Sequence, residues 1–344
     1  MTRFYLRYDL RAPEGMITTD ELYRTALEQS AWVDARGFHG LMVMEHHGSP
    51  DGYCPSPLTF LAAAAARTER MLLTTCSYLL ALHNPVDTAE QMAMVDILSH
   101  GRLQPILAGG YRDAEYALFG KDINDRPRLM EEAVAVLRQA WRGEYLERGG
   151  HRIQVTPRPV QQPSPPIILG GNSKVVARRA ARIADGFFPV SGEQAPVIYE
   201  EFRNERQRLG LDPGPGCLRE GPMFLCVSED PERTWASISA NALHETNSYA
   251  QWIIEGNEVA PYQALDDADM LRSTGLYRVL TPADTVQLIK GLDADSMVTM
   301  HPCMGGMATD IGWNSLELLV GKVFPEIQLS SDPHITHVWT PAAS

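Results

Sequence analysis

Apolar positions in this 344-residue chain come in two alternating rhythms. Short runs of β-branched, aromatic and aliphatic residues occur at 4–9, 40–45, 72–79, 103–108, 166–169, 186–190, 223–228 and 296–301. Between them lie longer segments whose apolar residues recur at helical spacing. Such alternation is the pattern of βα units closing on a parallel sheet. Eight strand-like runs are the number a (β/α)8 TIM barrel needs, so the expected class is α/β.

Several of the intervening helices carry start and stop signals. Thr18 followed three residues later by Glu21 reads as a capping box, and the helix it opens ends before Gly37. In HNPVDTAEQMAMVDILSHGR, Asn84 suits an N-cap and Pro85 the first helical position, with Asp87 and Glu90 near the positive end of the dipole. Val86, Ala89, Ala93 and Ile97 give that helix an apolar stripe, and Gly101 closes it. Two segments break the rhythm. Residues 142–165 hold EYLERGGHRIQV and then a Pro- and Gln-rich run, which predicts a hairpin followed by an extended connection. Residues 244–280 form a polar and aromatic stretch longer than an ordinary βα connection, suited to a lid, a pocket wall or a packing element. The expected organisation is one domain over 1–344 with insertions near 142–165 and 244–280.

Charge and cysteine content narrow the partners. With 43 acidic and 30 basic side chains the net charge is −13, which repels phosphate backbones and anionic lipid and argues against a nucleic-acid partner. The start MTRFYLRYDL is interrupted by Arg3 and Arg7, unlike a secretory signal, and the uncharged stretch 71–86 is shorter than the roughly 20 residues that span a bilayer. A soluble cytoplasmic protein with no membrane association is expected. Cys54, Cys76, Cys217, Cys226 and Cys303 are odd in number and never spaced Cys-x-x-Cys, which argues against a disulfide framework or a thiolate zinc site.

In a barrel of this kind chemistry sits at the carboxyl ends of the strands. The second strand ends in Glu45-His46-His47, the third in Cys76-Ser77, the fourth in Gly109-Gly110-Tyr111, the fifth in Gly170-Gly171-Asn172-Ser173, the sixth in Ser191-Gly192 and the eighth in His301. In LGGNSKVVARRAARIADG two glycines let backbone approach a ligand, and Asn172 or Ser173 caps a helix whose free N–H groups favour an anion such as phosphate. His46 and His47 are adjacent, so on extended backbone only one faces the barrel mouth. That weakens a metal reading, for which Asp9 and His301 would be the partner ligands, and no metal is expected. A single imidazole able to take or give a proton near pH 7 needs no such partner. A histidine that merely completes its hydrogen bonds at a strand end is the bland alternative.

Taken together, these residues resemble the flavin-dependent, luciferase-like monooxygenase family, whose best-known member is bacterial luciferase. The resemblance runs through GFHGLMVMEHH, LHNPVDTAEQMAMVDILSHGRL, PRPVQQPSPPIILGGNSKVVARRAARIADGFF and WNSLELLVGKVFPEI. Its most specific part is Pro85, Val86, Ala89, Glu90, Gln91, Asp96, Ser99, Gly101 and Arg102. It implies reduced FMN, or in a sister branch a deazaflavin, at the carboxyl end of the barrel. It further implies a separate flavin reductase, oxidation of a small organic substrate with O2 through a flavin hydroperoxide, and a homodimer. By position His46 matches the family's catalytic histidine. The implied cofactor contacts are Glu45, Cys76, Ser77, Gly109, Gly110, Tyr111, Gly170, Gly171, Asn172, Ser173 and Ser191, with a non-prolyl cis peptide expected at Cys76-Ser77.

The chain also departs from the luciferase pattern. Gly109 and Gly110 stand where the luciferase α-subunit has a phosphate-holding arginine, and the Gly-Gly-Asn-Ser turn lacks that family member's carboxylate. Phosphate contacts are therefore expected from backbone N–H groups and Ser173, assisted by Arg178 or Arg179. Neither light emission nor the exact flavin follows from the resemblance.

Overall fold

The first strand, β1 (Arg3–Tyr8), is buried along its whole length, as a central parallel strand must be. The computed structural model describes residues 1–189, 194–214, 221–222, 224–256, 262–292 and 296–331. After β1 come α1 (Thr19–Asp34), β2 (Gly40–Val43), α2 (Pro57–Ala65), β3 (Leu72–Tyr78), α3 (Pro85–Leu98), β4 (Ile106–Leu107), α4 (Asp113–Leu118) and α5 (Arg126–Trp141). The second half holds β5 (Tyr145–Arg148), β6 (His151–Gln154), β7 (Ile168–Gly171), α6 (Lys174–Ile183), β8 (Gly186–Pro189), α7 (Ala195–Arg208), β9 (Phe224–Val227) and α8 (Pro231–Gly256). It closes with α9 (Ala268–Ser273), β10 (Tyr277–Leu280), α10 (Pro282–Lys290), β11 (Met297–Met300) and α11 (Thr309–Leu318).

Nine strands pair in the order β10-β9-β11-β1-β2-β3-β4-β7-β8, every described ladder parallel. Tyr5, Met42, Ile106, Ile168, Phe188 and Met297 form one buried cluster with Cys76 against it. They come from β1, β2, β4, β7, β8 and β11, with Cys76 from β3. One cluster that takes in side chains from strands as far apart in the ladder as β8 and β11 gives the barrel-like α/β architecture. The larger apolar core lies outside this ring, between strands and helices.

The eight strand runs all correspond to strands, with shifted bounds. The run at 103–108 shortens to β4, and 166–169 extends through Gly171. β10 is a ninth strand, hidden in the segment read as a 244–280 excursion. Its pattern is buried, exposed, buried, half-buried, and among the described residues it pairs only with β9, so its apolar signal is weak. The rest of that segment continues α8 as far as Gly256 and then forms α9. The segment at 142–165 holds β5 and β6 as an antiparallel pair joined through Gly149-Gly150, both at positive φ.

The helix signals resolve into specific contacts. Thr18 Oγ1 accepts from Glu21 N at 3.3 Å, while the Glu21 carboxylate accepts from Thr309 rather than turning back to the cap. Asn84 Oδ1 accepts from Val86 N at 2.9 Å, with Pro85 opening α3. The conspicuous Asp96…Arg102 run serves the scaffold. Asp96 accepts from Val160 N, Gln161 N and Gln161 Nε2, and Arg102 donates to the carbonyls of Ala65, Thr68, Met71 and Ser99. No described helix is long and apolar enough to cross a membrane.

Candidate active site

The strand ends open onto a cavity of about 540 Å³. Glu45, His46, Cys76, Ser77, Gly109, Gly110, Tyr111, Gly170, Gly171, Asn172 and Ser173 all line it, so ten of the sequence-derived cofactor contacts and the candidate catalytic histidine share one space. Ser191 lies outside the described residues.

Beyond β2 the backbone stays tethered, with Met44 N donating to Tyr8 O at 3.0 Å and His46 N to Cys54 O at 3.2 Å. Consecutive side chains therefore diverge. His46 faces the cavity, and His47 turns behind it to Glu45 and Phe119. His46 Nδ1 lies 2.8 Å from Glu115 Oε1, which also accepts from His47 N at 2.8 Å and Arg112 Nη1 at 3.2 Å. Burial pushes the Glu115 carboxyl up, but the hydrogen bonds from His46 and His47 N and the Arg112 charge outweigh it, so Glu115 titrates below an ordinary glutamate. An ionised Glu115 can only accept, so Nδ1 carries the proton. Burial among Tyr53, Tyr111, Tyr249 and Trp252 lowers the His46 pKa; Glu115 opposes this, and Arg11 and Arg112 add to it. The result is a neutral imidazole whose Nε2 faces the cavity and accepts a long, displaceable hydrogen bond from Tyr111 Oη at 3.5 Å.

Glu45 borders the cavity but its oxygens are committed. Oε1 accepts from His47 Nε2 at 2.8 Å and His83 Nε2 at 2.5 Å, and Oε2 from Leu79 N at 2.7 Å. Burial opposes ionisation there, and these bonds outweigh it. Glu45 thus pins the chain that leaves β3. The Cys76-Ser77 peptide is cis.

Around the glycine turns the backbone is bare because side chains pack where a Cβ would go. A Cβ on Gly109 would stand 2.7 Å from Arg126 Cγ, and one on Gly171 would stand 2.5 Å from Val176 Cγ1. Ser173 Oγ caps α6 by accepting from Val176 N at 3.4 Å. Of the two arginines expected to assist, Arg179 lines the cavity while its Nε pairs with Glu131 at 2.9 Å, and Arg178 pairs with Glu201 at 2.7 Å. Arg126 lines it as well and donates to Gly110 O at 2.7 Å, so the guanidinium missing from the fourth strand end arrives from α5.

Sequence reading missed Glu115, Arg126, Arg7, Tyr53, Tyr249 and Tyr262, all but Glu115 of which line the cavity. Only the length of the 244–280 segment hinted at the last two. Asp9 and His301, named as alternative metal partners, instead join Glu245 behind the cavity. His301 Nε2 lies 3.3 Å from Asp9 Oδ1, and Nδ1 lies 3.4 Å from Glu245 Oε2. Asp9 Oδ2 is also 3.2 Å from Arg11 Nε. This trio and Glu45–His47–His83 are the two groups of described residues whose ligating atoms lie within 4.8 Å of one another; the second is hydrogen-bonded within itself, and the first is held by ion-pair contacts of 3.3 and 3.4 Å.

Comparison with known proteins gives a consistent family. The family described as luciferase-like monooxygenase matches residues 8–295. The oxygenase component of the flavin-dependent trigonelline monooxygenase of Acinetobacter baylyi is 29% identical over 171 residues, 48% of each chain. The chain spans about half the length of the curated relatives it matches. Among solved structures, monooxygenase RslO1 from Streptomyces bottropensis superposes with a TM-score of 0.76 at 22% identity, covering 94% of this chain and 99% of that one. The oxygenating constituent of 3,6-diketocamphane monooxygenase from Pseudomonas putida, in complex with FMN, gives 0.68 at 14% identity, covering 95% and 99%. An F420-dependent secondary alcohol dehydrogenase with an F420-acetone adduct gives 0.65 at 16% identity, with the same coverage. At these identities the superpositions establish the fold.

Proposed function

The chain belongs to the luciferase-like monooxygenase family, and from that premise we propose that it is a flavin-dependent monooxygenase. In this reading it takes reduced FMN from a separate reductase and uses O2 to oxidise a small organic substrate. The observation that carries it is His46, a neutral imidazole with an available Nε2, set in a cavity whose one flank is built from bare glycine backbone and arginine.

That flank fits a flavin phosphate. Gly109, Gly110, Gly170 and Gly171 leave room for close backbone approach, Ser173 and the N-terminus of α6 face an anion, and Arg126 and Arg179 supply positive charge. Cys76 and Ser77, on the β3 edge between His46 and the glycine turns, would flank the ring system. When bound, a reduced flavin supplies the electrons for oxygen activation. The chain's own residues do the rest. Met42, Met44, Tyr53 and Phe188 exclude water, Glu115 fixes the tautomer of His46, and His46 Nε2 takes or returns one proton facing the reacting centre. A soluble cytoplasmic homodimer, with each chain one domain over 1–344, completes the reading.

A deazaflavin-dependent oxidoreductase is the second reading, favoured by the fold shared with the F420-dependent dehydrogenase. Anaerobic titration of the purified protein with reduced FMN and reduced F420 separates the two. Reduced FMN binding tightly, followed by oxygen-dependent turnover of added substrate, supports the monooxygenase. Tight F420 binding with none for reduced FMN overturns it.

A further inference from the structure

The cavity has two differently built ends. Its charged lining among the described residues is Arg7, Glu45, Arg126 and Arg179. Arg126 and Arg179 stand by the glycine turns, and Glu45 is consumed by two imidazoles and a backbone N–H. Arg7 stands at the opposite end, on β1 in register with Met42 of β2. It is 8% exposed, its Nε donates to Met44 Sδ at 2.8 Å and its Nη2 to Tyr249 Oη at 3.4 Å, and it also hydrogen-bonds Tyr262. The ion pair it makes, to Glu245, spans 3.7 Å, longer than a hydrogen bond. Asp9 and Glu245 Oε2 turn to His301 behind the cavity while Glu245 Oε1 keeps its long contact to Arg7, so the charged group that lines this end of the cavity is the Arg7 guanidinium.

The walls beside Arg7 are flat. Tyr249 and Tyr262 stack on one another with ring centroids 4.7 Å apart and planes 16° apart, Arg11 lies over the Tyr249 ring at 4.8 Å, and Tyr53 Oη shares a hydrogen bond of 2.8 Å with Tyr249 Oη, so the broad wall turned to a ligand is the outer side of Tyr262. Aromatic faces and thioethers favour a flat, unsaturated ligand over a flexible alkyl chain. A guanidinium with a planar fork favours a carboxylate over a neutral polar group.

We propose that the substrate is a planar aromatic carboxylate, its ring against the outer side of Tyr262 and its carboxylate on Arg7. This rests on the reading that places a flavin at the glycine-lined end, which leaves the Arg7 end for the substrate. Burial opposes the charge of Arg7, but Glu245 and the surrounding phenol oxygens more than offset it, so the guanidinium stays ionised.

The test is calorimetric titration, with and without reduced FMN under anaerobic conditions, using benzoate, naphthoate and anthracenecarboxylate, each beside its primary amide. At least one carboxylate is expected to bind about tenfold or more tightly than its amide. Arg7→Met removes the preference, Arg7→Lys keeps part of it, and both bind reduced FMN within about twofold of the parent. Carboxylates binding no better than amides in the parent protein overturn the proposal. So does an Arg7→Met variant that loses reduced FMN while keeping the preference, because Arg7 then serves the cofactor. If reduced FMN does not bind but the Arg7-dependent preference persists, the flavin reading falls and the carboxylate site stands.

Discussion

Glu115 sets one carboxylate oxygen 2.8 Å from Nδ1 of His46, across 69 residues of chain. The contact joins the end of β2 to the first turn of α4, and Arg112 on the same stretch clamps both Glu115 Oε1 and the His47 carbonyl. The imidazole is thereby held in one tautomer, with Nε2 toward the cavity.

His46→Ala is predicted to reduce turnover by about 10²–10⁴-fold, the usual contribution of a positioned acid or base. Reduced-flavin affinity should change little, because the glycine turns and arginines are untouched. Single-turnover rates with pre-bound cofactor measure this, and added imidazole is expected to restore part of the rate.

Glu115→Gln is predicted to move the acid limb of kcat/KM. In the parent protein His46 titrates below 6.5, so its neutral form persists as pH falls past that value. The Glu115 charge works against that depression, and removing it lowers the His46 pKa further. The acid limb should shift to lower pH while the plateau falls by tenfold or more, in rough proportion to loss of the fixed tautomer. A shift toward higher pH would contradict the assignment.

Gly171→Ala is predicted to weaken cofactor binding by about tenfold, because the new Cβ would stand 2.5 Å from Val176 Cγ1 and push on the first turn of α6. Val176→Ala added to it should restore most of the affinity by vacating that space. A double-mutant cycle on reduced-flavin dissociation constants reads the coupling directly.

Asp9→Asn is predicted to destabilise the fold by about 1–3 kcal/mol, because Arg11 loses one of its two buried carboxylate partners, keeping Asp51 at 2.7 Å, and His301 loses its contact to Asp9. Burial raises the Asp9 pKa, but His301, Arg11 and Arg7 bring it from 3.8 down to about 2. A carboxylate depressed on folding contributes stability that is present above 3.8 and lost as pH falls through about 2. The gap between parent and variant in urea denaturation should therefore be full at pH 7 and narrow between pH 4 and pH 2.

Much of the architecture was legible because it rests on local patterns. Buried parallel strands leave unbroken apolar runs, and all eight runs located strands. β10 escaped because it is an edge strand of four residues with exposed Arg278 in its middle. The strand-end rule likewise found the glycine turns, Cys76-Ser77 and His46, since the alternation of side chains on extended backbone already separates His46 from His47.

Glu115, Arg126, Arg7 and the Tyr249–Tyr262 pair were not legible. Each lies on a helix, strand or loop whose local sequence looks like ordinary surface or core, and each acquires its role from a partner distant in the chain. The sequence by itself showed the family through its motif runs, and it showed most of the strand and helix order and the strand-end residues that meet at one cavity through periodicity and short-range turn preferences. Tertiary structure alone decided which nitrogen of His46 is available, which arginine replaces the missing one, and where cationic charge meets aromatic faces. Those properties are set by burial and by distances between groups dozens to hundreds of residues apart, and no local pattern encodes them.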